Sequence, residues 1–120
     1  MSNEKGYRKL IAWQKANQLA LSVYLKTKQF PKEEMYGITS QLRRAALSVP
    51  TNIVEGQGRQ NKREVRQFIN MALGSLAETE YLLGFALELT YLLDSDYQFL
   101  EAQRQETGNL LWGLYKKLSI

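Results

Sequence analysis

Residues 41–56 read QLRRAALSVPTNIVEG. Laid out on a helix at about 100° per residue, the stretch sorts into strips. Leu42, Ala45, Val49 and Ile53 share one side, and Leu47 and Val54 lie on another. Between these strips run Gln41, Arg44, Ser48, Asn52 and Glu55, followed by Arg59, all within about 40° of one line. Three- and four-residue spacing of this kind predicts a helix rather than a strand. Pro50 sits in its interior, where it denies the Ala46 carbonyl its N–H donor, so the helix is expected to kink or split there. Gly56 and Gly58 end it.

Working outward, the same spacing recurs on both sides. Ala12, Trp13, Ala16, Leu19, Ala20, Val23 and Tyr24 form one face of a first helix over residues 7–28, and Phe30-Pro31 stops it, because the residue before a proline is pushed out of the α region. Pro31 is expected to open the second helix, with Glu33 and Glu34 near the positive end of its dipole. Asn61, with Glu64 three residues on, reads as the cap of a third helix reaching about residue 93. Ser95 with Gln98 repeats the device for a fourth, which keeps Leu100, Thr107, Leu111, Leu114 and Leu118 on one side. Four amphipathic segments with short connections predict an all-α fold: a single domain over residues 1–120, built as an antiparallel up-down-up-down four-helix bundle.

Composition narrows the chemistry. The 120 residues contain no histidine and no cysteine. The commonest general base, the commonest zinc ligand and any thiolate site are therefore missing, and no Gly-rich phosphate loop is present. No catalytic residue, metal or cofactor is expected. The N-terminal MSNEKGYRKL lacks the apolar run of a secretory signal, and no segment has the roughly 18 apolar residues of a membrane span. A cytoplasmic protein is the expectation. The net charge of +4 is compatible with an anionic partner.

The polar strip of the second helix has two readings, a solvated face or a partly buried seam. Antiparallel packing about a turn near residue 61 makes facing positions of helices two and three sum to about 122. Arg44 then faces Glu78, Ser48 lies near Gly74, Asn52 near Asn70, and Glu55 near Arg66 or Gln67.

Several of these segments also carry a family resemblance. Trp13-Gln14-Lys15-Ala16, Phe30-Pro31 followed by Glu34, Tyr36 and Gly37, the block 41–56 with its interior Pro50, and Ala72, Gly74, Ser75 and Glu78 together resemble the proteins encoded in intervening sequences of bacterial 23S ribosomal RNA genes. More distantly the chain is similar to the accessory variability proteins of diversity-generating retroelements. The resemblance implies a four-helix subunit without enzyme activity, assembled into a homopentamer. For the retroelement relatives it implies a basic ring that binds nucleic acid.

Two surfaces bear on a partner. Residues 81–93, YLLGFALELTYLL, carry one charge, Glu88, and are apolar nearly all round a helix. That surplus reads either as an apolar core helix or as burial against a second subunit through Tyr81, Phe85 and Leu89. Trp112, away from the leucine side of helix four, points to the second. The turn over residues 59–66, RQNKREVR, holds Arg59, Lys62, Arg63 and Arg66, and Arg43 is a candidate extension. It reads either as solvated surface or as a site for the phosphates of RNA or DNA, without base-specific readout. The alternative function is a scaffold that binds a protein partner and no nucleic acid.

Overall fold

The computed structural model describes residues 6–119. Among them are four α-helices and no strand: α1 (Ile11–Lys26), α2 (Ile38–Gln57), α3 (Lys62–Glu88) and α4 (Asp94–Leu118). Each helix packs on two neighbours, in the order α1–α2–α3–α4 and back to α1. The strip Leu42, Ala45, Val49 and Ile53 is buried in the centre, facing Leu19 and Val23 of α1, Ile69 and Leu83 of α3, and Leu100 and Leu111 of α4. Leu114 and Leu118 pack against this core from the end of α4.

Several helix ends differ from the sequence expectation, each for a local reason. Residues 6–9 form a separate 3₁₀ turn before α1. Pro31 opens only a short 3₁₀ turn at Lys32–Glu34, and α2 begins at Ile38 after Gly37. Ser95 lies inside the first turn of α4 rather than capping it; Leu93 holds the cap position, and Asp94 and Asp96 complement the helix dipole. Asp96 also accepts from Gln29 (3.3 Å) and pairs with Lys26 (2.9 Å), and these hydrogen bonds hold its carboxyl below the usual range. Pro50 does not split α2, which runs unbroken past it. Around the missing bond, Ser48, Thr51 and Asn52 turn their side chains back onto the carbonyls of Arg44, Leu47 and Ser48, at 2.7–2.8 Å.

The third helix stops at Glu88, five residues before the end expected for it. Tyr91 N–H reaches the Ala86 carbonyl (3.0 Å) and Thr90 N–H the Leu87 carbonyl (2.9 Å). This is a Schellman cap, whose penultimate residue must be left-handed. Thr90 fills that position at φ 63°, where glycine is usual and a β-branched side chain is strained by about 1–2 kcal/mol. Thr90→Gly should therefore raise stability by about 0.5–1 kcal/mol, the relief being partly offset by glycine's greater freedom in the unfolded chain. Urea unfolding of the two proteins reads this directly. A lower midpoint for the glycine variant would show that the threonine side chain contributes more than its backbone strain costs.

Candidate nucleic-acid interface

The turn between α2 and α3 is built by close approach. Gly56 is buried, and a Cβ placed on it would lie 3.0 Å from Phe68 Cβ, so the two helices meet there because one partner has no side chain. Gly58 N–H and Arg59 N–H close the end of α2 on the carbonyls of Glu55 (3.2 Å) and Gly56 (3.0 Å). Asn61 then caps α3 as expected, its side chain accepting from Arg63 N–H at 2.8 Å.

This framework brings Arg59, Lys62, Arg63 and Arg66 to one place. The first three are exposed and Arg66 is half-buried. The Arg59 guanidinium lies 4.9 Å from the centre of the Phe68 ring, a cation–π contact that holds it over α3. Lys62 and Arg63 stand in the first turn of α3, at the positive end of that helix's own dipole. Cations are locally unfavourable there, and an anion is favoured.

Arg43 does not join them. It lies about 24 Å away along α2, where it donates to Thr27 Oγ1 (2.8 Å) and the Tyr24 carbonyl (3.4 Å) and covers the Tyr24 ring. It fastens α2 to α1.

The facing register of α2 and α3 is met. Gln41, Arg44, Ser48 and Glu78 line one shallow groove of about 220 Å³. Within it, no ion pair joins Arg44 to Glu78, and none joins Glu55 to Arg66. Arg44, Glu55 and Glu78 are exposed on the single bundle, whereas Ser48 and Asn52 are half-buried and bonded to their own helix.

The apolar candidates fall on two faces. Tyr81, Phe85 and Leu89 are 67%, 42% and 38% exposed and, with Ile38 and Leu82, line a groove of about 390 Å³ between α2 and α3. Trp112, 51% exposed, lies in the separate groove between α3 and α4. Four further exposed cations, Arg8, Lys9, Lys116 and Lys117, have no place in a reading made along the chain. The signal that finds them is topological: four antiparallel helices return the chain to the end where it started.

Among the described residues no helix is long and apolar enough to cross a membrane, and no group of three or more acidic side chains is gathered to hold a metal. A crystal structure of a protein of unknown function from the S23 ribosomal protein family of Bacteroides thetaiotaomicron matches this fold with a TM-score of 0.80. The match covers 88% of this chain and 99% of that one at 22% sequence identity, which is a likeness of fold. No curated protein matches the chain. The model of the 23S rRNA-intervening sequence protein family matches residues 8–113, which takes in all of α1, α2 and α3 and most of α4. With nearly the whole bundle inside that match, the chain belongs to the 23S rRNA-intervening sequence protein family.

Proposed function

We propose that this protein is a non-catalytic, self-associating bundle that binds RNA or DNA through backbone phosphates. The observation that carries the reading is the gathering of Arg59, Lys62, Arg63 and Arg66 at one turn, two of them set against their own helix dipole. Arginine and lysine neutralise phosphates and release condensed counterions, which needs no base recognition. The exposed apolar residues support self-association. A ring closed by rotation needs two different patches, one on each side of the subunit. Tyr81, Phe85 and Leu89 on one face and Trp112 on another meet that need. Five copies is the number implied by the family resemblance, and copies of a weak site around a ring would add by multivalency.

The test is titration of labelled single-stranded RNA and DNA with the purified protein. Four phosphate contacts on a single strand give a salt slope near −3, so affinity should fall at least about fiftyfold between about 50 and about 200 mM salt, with little sequence preference. A protein that ignores both nucleic acids at low salt overturns the reading. The same apolar faces favour the second reading, a protein-binding scaffold. That reading gains if a stable protein partner co-purifies and nucleic acid has no effect.

A further inference from the structure

The basic turn has company at its own end of the bundle. Contacts between the helices set the levels. Across α3 and α4, Arg104 meets Glu80 at 3.1 Å and Gly108 faces Leu76, a register that continues to place Lys116 and Lys117 beside Phe68 and Gln67. Across α1 and α4, Lys15 meets Glu106 at 3.1 Å and Lys26 meets Asp96 at 2.9 Å, which sets the start of α1 at Ile11 level with Leu110 and Leu111, and the 3₁₀ turn folds back beside that start, the Arg8 carbonyl accepting from Gln14 at 2.8 Å. The 3₁₀ turn at Gly6–Lys9, the α2–α3 turn and the last turns of α4 therefore share one end.

Charge is concentrated there. Arg8, Lys9, Lys116 and Lys117 join the four cations of the turn, so among the described residues eight of the 15 Lys and Arg stand at this end with two of the 11 acids, Glu55 and Glu64. Three of the cations elsewhere are treated differently. Lys15, Lys26 and Arg104 are each matched to a carboxylate, whereas Arg8, Lys9, Lys116 and Lys117 make no ion pair among the described residues. Lys28 and Lys32, near the opposite end, lie in the acidic company of Glu33, Glu34, Asp94 and Asp96. Like charges gathered on three neighbouring segments repel one another, and a polyanion laid across them removes that repulsion.

We propose that the whole end of the bundle is one phosphate track, on which a nucleic-acid backbone runs from the α2–α3 turn to Lys116 and Lys117 and on to Arg8 and Lys9. This rests on the phosphate-binding reading above and extends it to a site of definite size. The bundle's shorter dimensions are 32 and 25 Å. At about 3.4 Å of axis per nucleotide of a stacked, helical strand, that width spans roughly seven to nine nucleotides.

The experiment compares matched charge removals on the full chain. Lys116→Gln with Lys117→Gln removes two exposed charges from the basic end, and Lys28→Gln with Lys32→Gln removes two exposed charges from the other. Each double variant is titrated against labelled single-stranded RNA over a salt series, with circular dichroism as the check on folding. The first pair should make the salt slope shallower by about 1.4 and weaken low-salt binding about tenfold or more, while the second leaves the slope unchanged. Equal effects from the two pairs would overturn the track, because net charge alone would then account for binding. So would a silent first pair beside a Lys62→Gln, Arg63→Gln variant that binds poorly, which would confine the site to the turn. Wild-type protein that binds no RNA would instead sink the underlying reading.

Discussion

Phe85→Glu should release single bundles from the proposed assembly while leaving their helical content unchanged. On one bundle Phe85 borders open solvent beside Tyr81, the two ring centres 6.1 Å apart. A carboxylate there can reach water, so folding of the subunit is spared. Against a second copy the same carboxylate would be enclosed among apolar side chains without a partner. An unpaired charge in such a place costs several kcal/mol, which weakens each contact by about a hundredfold to a thousandfold. Native mass spectrometry at micromolar concentration reads the outcome, and Leu89→Glu should repeat it. A wild-type protein that is already monomeric there would remove the argument for a ring.

Reversing Lys62 and Arg63 to Glu should abolish most nucleic-acid binding. Each change deletes an attraction and introduces a repulsion at the same spot, so low-salt affinity should fall on the order of a hundredfold and the salt slope should flatten by about 1.4 or more. A control is built into the fold. Arg63 stands in the first turn of α3, where a carboxylate suits the helix dipole by about 0.3–1 kcal/mol. Arg63→Glu alone should thus be no less stable than wild type, which separates lost binding from lost folding. Arg59 and Arg66 are poorer probes, since one is stacked on Phe68 and the other is half-buried. Unchanged binding by the double variant would take the site away from this turn.

The four helices and the core strip of α2 were legible because apolar spacing is a local signal repeated over many turns. The ends were less so. Nothing in the run from Glu88 to Leu93 announces a stop, because the left-handed cap is filled by Thr90 where a glycine would have been readable. The eight residues from Phe30 to Gly37 carry a proline and two glutamates that suit a helix start, yet they form a turn, and α2 waits for Ile38. Arg43 illustrates a different limit. The sequence offers it as an extension of the basic turn, but nothing along the chain shows that Tyr24 and Thr27 of the neighbouring segment claim it. For Arg44 and Glu78 the register was right and the pairing was not made. Lys116, Lys117, Arg8 and Lys9 are distant in the chain from the basic turn, and only the return of an even number of helices unites them.

The uneven placement of charge also bears on how quickly the molecule meets its ligand. With eight of its cations gathered at one end and acids in excess over the rest of the described residues, the protein is an electric dipole along its 43 Å length. Near a polyanion such a body feels a torque as well as an attraction, and it turns its positive end forward during approach. Most protein encounters are wasted because the wrong face arrives first, and steering of this kind recovers part of that loss. The torque has a short reach. At 0.1 M salt the field decays over about 10 Å, a fraction of the molecule's length, so alignment occurs only in the last stage of the collision.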